Sequence, residues 1–141
     1  MTLSRVINPE SKGKIRKQLC QSIILAIRKL MQQDQITVES KDIVAYIIFL
    51  LDSVYQSIED SVTAWEKRGY WIKSDRFRME WEWSYNLRKD LYQALYNEDW
   101  DSISQISVVI AQKLNKYNPP MRKKINVNFT DSWNKLMENQ Q

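Results

Sequence analysis

Residues 43–69 read IVAYIIFLLDSVYQSIEDSVTAWEKRG, and their spacing decides the fold. Ile43, Ile47, Leu50, Leu51, Val54, Ile58, Val62 and Trp65 recur at three- and four-residue intervals, which puts them on one stripe of a long α-helix. Lys67 and Arg68 fall in the last turn, where the helix dipole favours cations, and Gly69 is placed to end the helix in a left-handed conformation. Ser40 reads as the N-cap, with Asp42 in the first turn. From Ile43 to Leu51 the helix is apolar nearly all round, so it is expected to be central, with contacts on more than one side.

Upstream, Asn8-Pro9-Glu10-Ser11 reads as a helix start: Asn accepts from free amides, Pro is preset for the first helical position and Glu complements the dipole. The stripe of that first helix is Ile15, Leu19, Ile23, Ala26, Ile27 and Leu30, and the polar run from Gln32 to Glu39 connects it to the central helix. Downstream, Ser74-Asp75 is expected to cap a third helix that buries Phe77, Trp81, Ser84, Leu87, Leu91, Ala94 and Leu95 and ends near Asn97. Asp99 caps a fourth, with Trp100, Ile103, Ile106, Val109, Ile110 and Leu114 inward, until Asn118-Pro119-Pro120 stops it. Thr130-Asp131-Ser132-Trp133 can start a short terminal helix reaching about Glu138.

These readings give an all-α fold, an antiparallel up-and-down bundle of about four helices with a short C-terminal helix. With 141 residues the chain is expected to be a single domain, with residues 1–8 as an N-terminal arm and 118–141 as a loosely packed tail. Two Gly and three Pro leave too little turn punctuation for many short strands. A 43% hydrophobic, 27% charged composition is that of a folded protein. The longest apolar run spans about nine residues against the roughly 20 a membrane helix needs, so no membrane span is expected. The first residues show no charged region followed by an apolar one, which makes cytoplasmic residence the expectation.

Composition also excludes chemistry. No His and a single Cys remove zinc sites of the usual ligand sets, Ser-His-Asp and Cys-His catalysis, and haem or iron–sulfur ligation. No Gly-rich loop is available for a phosphate cradle or a dinucleotide fingerprint. A carboxylate magnesium site would have to draw on Asp52, Glu59, Asp60, Glu80 and Glu82, but the Glu-x-x-Glu arrangement of helical nucleotide pyrophosphohydrolases is missing. No catalytic residue, cofactor or metal is therefore expected. Cys20, close to Ile23 and Ile24 on a helical pattern, reads as a small buried hydrophobe.

Four of the six tryptophans lie between Ala64 and Trp83, interleaved with charge. An antiparallel hairpin turning at Tyr70–Lys73 pairs Val62 with Trp81, Leu51 with Leu91, Ile47 with Leu95, and Glu66 with Arg76. Trp65, Phe77 and Trp81 then belong to the seam, whereas Tyr70, Trp71 and Trp83 fall outside it. With Lys73, Arg76 and Arg78 they form a candidate binding surface, and Lys12, Lys14, Arg16 and Lys17 at the start of the first helix form a second. Those four cations work against the helix dipole, a local conflict of the kind that binding surfaces carry. The structural alternative to both is a closed corner and a solvated basic face. The expected function is a non-enzymatic protein–protein interaction or structural module with a protein partner or as a homo-oligomer. The alternative is a nucleic-acid-binding protein that stacks bases on corner aromatics and uses those cations with Arg122-Lys123-Lys124.

The segment Ala64-Trp65-Glu66-Lys67-Arg68-Gly69-Tyr70-Trp71, followed by Asp75-Arg76-Phe77-Arg78 and Glu80-Trp81, resembles one found in small uncharacterised all-helical bacterial proteins. The resemblance covers this corner alone, implies a bacterial cytoplasmic protein and brings no catalytic residue with it. In size and charge the chain is also loosely similar to small helical subunits of RNA-guided bacterial defence complexes, which would make it part of a ribonucleoprotein.

Overall fold

A computed structural model describes residues 9–139, and every regular element in them is helical. In chain order they are α1 (Pro9–Met31), α2 (Val38–Lys67), α3 (Trp71–Tyr96), α4 (Trp100–Lys113), a single 3-10 turn at Asn115–Tyr117, and α5 (Ser132–Asn139). Pro9 is the first helical residue, as its fixed φ favours; the Asn8 cap and the arm expected over 1–8 lie outside the described residues.

α2 is the axis of the molecule. α1 and α3 flank it, α4 packs against α3 and α1 to close the ring, and α5 lies on α2 from outside. Ion pairs and hydrogen bonds set the antiparallel registers. Lys12 meets Asp60 at 3.1 Å and Arg16 reaches Ser57 across α1 and α2, while Arg88 grips Asp52 with two bonds of 2.8 and 3.1 Å across α2 and α3. The all-round apolar start of α2 now has its reason. Ile43, Val44, Ala45, Ile47 and Ile48 are all buried, because the bundle covers one side and α5, with Leu136 fully enclosed, covers another.

Several expectations about helix ends are corrected. The N-cap of α2 is Thr37, not Ser40. Ser40 is buried in the first turn, where its Oγ accepts from the Thr37 N–H at 3.0 Å and donates to the Gln35 carbonyl. α3 begins at Trp71, three residues before the expected Ser74 cap; Ser74 is buried and donates its hydroxyl back to the Trp71 carbonyl at 2.9 Å. The early start follows from how α2 ends. Gly69 sits at φ 81°, its N–H donates to the Glu66 carbonyl and the Tyr70 N–H to that of Trp65, so the chain reverses within three residues. The Asp99 cap of α4 is as expected, its carboxylate accepting from the Ser102 N–H at 3.2 Å.

On α1 the buried stripe is shifted by one residue at its start. Ile15 is exposed, and Arg16 and Cys20 point inward instead. Farther along, the five consecutive residues Ile23–Ile27 are all buried. No single-sided packing does that to a helix; the segment after α4 covers the outer side. Arg28 donates to the carbonyls of Pro119 (3.0 Å) and Pro120 (3.3 Å), holding that segment on α1. The chain then reaches α2, where Phe129 lies 6.3 Å from Tyr46 and the Trp133 N–H donates to Asp42. Residues 118–139, expected as part of a loosely packed tail, are held by Arg28 at one end and by α5 on α2 at the other, with Ile125, Phe129, Trp133, Leu136 and Met137 packed on the core while Met121 and Val127 stay exposed.

Candidate functional site

The corner between α2 and α3 divides into an inner and an outer part. Inside, Trp65 meets Phe77 edge-on at 4.9 Å, Phe77 leads to Trp81 at 6.4 Å, and Trp81 contacts Trp83 at 5.8 Å and Tyr117 at 6.3 Å. Trp81 is buried. Trp83, expected outside the seam, is half-buried and stacked on Trp81, so it belongs to this cluster and not to a free surface.

Arg16 is the largest correction to the expected binding residues. It is only 8% exposed, with its guanidinium 4.8 Å from the Phe77 ring and 6.0 Å from that of Trp81, and it donates to the carbonyl and hydroxyl of Ser57. Burial lowers its pKa, which electrostatic interaction with Tyr117, Cys20 and Glu80 only partly offsets. The flat cation on aromatic faces replaces a carboxylate partner. Lys12 is tied to Asp60, while Lys14 and Lys17 are exposed. The basic start of α1 therefore does not form one cationic surface.

The expected Glu66–Arg76 pair is also replaced. Arg78, half a turn along, contacts Glu66 at 3.3 Å and Glu59 at 3.6 Å, and Arg76 is left exposed. Loss of solvent works against the Arg78 charge, but the two carboxylates outweigh it and raise its pKa. Lys73 places its ammonium 4.5 Å from the Trp65 ring. Of the corner's cations, Arg78 is engaged in ion pairs and Lys73 packs on a ring.

Outside, Tyr70, Trp71 and Ile72 are exposed, Trp71 by 60%. The face they begin continues down α3. Met79 (74% exposed) follows Trp71 and Ile72 by two turns, and Tyr85 stands 5.6 Å from Tyr55 of α2. Between these helices runs a groove of about 490 Å³, floored by Ile58 and Trp81, walled by Met79 and the two tyrosines, and edged by Glu59, Asp75, Glu82 and Arg78. Tyr55, Met79 and Tyr85 were not among the expected site residues. The signal was present: Met79 is seven residues beyond Ile72, and Tyr55 lies opposite Tyr85 in the hairpin register.

Asp52, Glu59 and Asp60, weighed as magnesium ligands, contact Arg88, Arg78 and Lys12 respectively, and among the described residues no three acidic, Cys or His side chains cluster as a metal would need. Asp60 is held below its ordinary pKa by hydrogen bonds from Gln56 and Lys12. Burial pushes the Cys20 thiol up to about 12, so it is not a nucleophile at neutral pH. No described helix is long and apolar enough to cross a membrane. Comparison with known proteins returns no match to a family model, a curated protein or a solved structure.

Proposed function

We infer that this chain is a non-enzymatic interaction module that binds a second copy of itself or another protein through the outer face of α3 and the neighbouring edge of α2. The observation carrying this reading is the row Trp71, Ile72, Met79 and Tyr85, joined by Tyr55, on side chains that the bundle leaves in solvent. Large aromatics and a methionine beside a groove with a charged edge are what the centre and rim of a protein interface require. Cytoplasmic residence remains part of the proposal, since one buried thiol with no second cysteine has no use for an oxidising compartment. Light scattering on the whole protein tests self-association. Wild type larger than a monomer, with Met79→Glu and Trp71→Ala returning to monomer mass, supports it; a strict monomer at the highest workable concentration sinks the self-associating form.

The nucleic-acid alternative is weaker. Arg16 is spent inside the bundle, Lys12 and Arg78 in ion pairs, and Trp83 in the aromatic cluster, and the cations still exposed belong to separate elements, Lys14 and Lys17 on α1, Lys73 and Arg76 on α3 and Arg122-Lys123-Lys124 after α4. Anisotropy with single-stranded RNA and DNA at two salt concentrations distinguishes the readings, because a phosphate-tracking surface shows a steep salt slope.

A further inference from the structure

At the other end of α1 a different surface is assembled, and it is independent of the α3 face. Arg28 clamps the carbonyls of Pro119 and Pro120, and this brings the following residues back alongside the last turns of α1. The result is a cleft of about 640 Å³ in which Lys123 and Lys124 join Arg28 and Lys29. Among the described residues no carboxylate lines it. Glu39 approaches Lys29 from outside at 4.0 Å, with both side chains substantially exposed, so it neutralises little. The cleft is not simply basic, because Leu25, Ile125 and two methionines also line it. Met31 is 46% and Met121 78% exposed.

We propose that this cleft is a docking site for an acidic amphipathic segment of a partner protein, one that sets aliphatic side chains against the methionines and carboxylates against the lysines. Charge complementarity selects an anionic occupant, and a lining of one sign concentrates such a partner near the cleft. The apolar lining then separates protein from nucleic acid. Phosphate chains have no use for two exposed thioethers, and among the described residues no aromatic side chain lines the cleft on which a base could stack. Methionines adapt to aliphatic partners of varied shape, which suits helix-in-groove recognition. Lys123 and Lys124 make the contact, and Arg28 positions them.

The test uses the whole protein and three labelled probes: a helical peptide of Leu and Glu with the Leu residues on one face, the same peptide with Gln for Glu, and single-stranded oligo-dT. The expected result is binding of the Leu/Glu peptide, weakened about tenfold or more both by Gln in the probe and by Lys123→Glu/Lys124→Glu in the protein. Met121→Ser weakens it further, whereas Lys89→Glu, an exposed α3 cation outside the cleft, leaves it unchanged. Lys123 and Lys124 are exposed, so circular dichroism of the charge-reversed variant should match the parent. No binding of the Leu/Glu peptide, binding that survives charge reversal, or tighter binding of oligo-dT each overturns the proposal.

Discussion

Asp42 of α2 accepts a hydrogen bond from the backbone N–H of Trp133 at 3.0 Å, and so caps the N-terminus of a helix that lies 91 positions further along the chain. The carboxylate is buried at the joint between the two helices. Lys41 adds to the joint, its ammonium 5.6 Å from the Trp133 ring. Removing a cap of this kind costs about 1–2 kcal/mol. Asp42→Ala is therefore expected to lower the denaturation midpoint and to raise amide exchange in α5 before the rest of the molecule, while Asp42→Asn, which keeps the acceptor, loses less. Uniform exchange across all helices in the Ala variant would contradict an α5-specific role.

Trp81 is the side chain on which the α2–α3 corner converges, touching Phe77, Trp83 and Tyr117. Truncating it opens a cavity among rings that cannot close over it. Trp81→Ala is expected to destabilise by about 3–5 kcal/mol. Arg78→Ala at the same corner removes only partly exposed ion pairs and should cost about 0–1 kcal/mol. Urea midpoints of the two variants decide whether packing or charge dominates there.

Much of this architecture was legible in residue spacing, and the failures have physical causes. Three- and four-residue periods report which side chains are buried, so α1 to α4 follow from them. Helix starts were less legible. Thr37 and Ser40 stand three apart and both carry a capping hydroxyl, so the sequence does not say which is outside the helix. Tyr70, the N-cap of α3, has no capping side chain to mark it in the sequence; the turn that closes α2, with the Tyr70 N–H donating to the Trp65 carbonyl, sets where α3 begins. Arg16 reads as solvated from its own helix, since the rings and serine that receive it come from α2 and α3. Asp42 likewise reads as complementing its own helix, and only the fold shows it serving another.

Arg16 is the clearest case of a buried charge whose removal is not equivalent to its replacement. Arg16→Ala leaves a void beside Phe77 and Trp81 and removes the donor to Ser57, whose hydroxyl keeps its own bond to the Val54 carbonyl, and it should destabilise by a few kcal/mol. Arg16→Met fills the space without desolvating a cation and should be near neutral or stabilising. Thermal melts of both variants test this; equal losses would mean that the guanidinium itself is required.

Cys20 sets a pH dependence. Its folded pKa is raised from 9.0 to about 12, chiefly by burial, so between those values the unfolded chain has lost a proton that the folded chain keeps. Stability from this group is full below pH 9 and falls as pH rises towards 12. Cys20→Ala should flatten part of that decline, leaving the share due to Tyr46, whose pKa burial also raises. The native thiol should react with a thiol reagent only as fast as the protein opens. Rapid labelling at neutral pH, or an unchanged alkaline slope in Cys20→Ala, would refute the assignment.

The two ends of α3 use the same turn with different residues, and that gives a prediction of opposite signs. At Gly69 (φ 81°) the chain is left-handed and the following N–H reaches back to Trp65. At Glu98 (φ 54°) the same geometry recurs, with the Glu98 N–H donating to Leu95 and the Asp99 N–H to Ala94. A side chain there costs roughly 1–2 kcal/mol that glycine avoids. Glu98 has a partial offset in its 3.1 Å contact with Lys41, but its side chain is 61% exposed, and such a pair is worth about 0–1 kcal/mol. Glu98→Gly is therefore expected to stabilise by about 0.5 kcal/mol. Gly69→Ala should destabilise by about 1 kcal/mol even though a Cβ there meets no atom within 4 Å, because the penalty is in the backbone and not in space. Paired melts in moderate salt are the check, and a Glu98→Gly variant less stable than its parent would show that the Lys41 contact outweighs the strain.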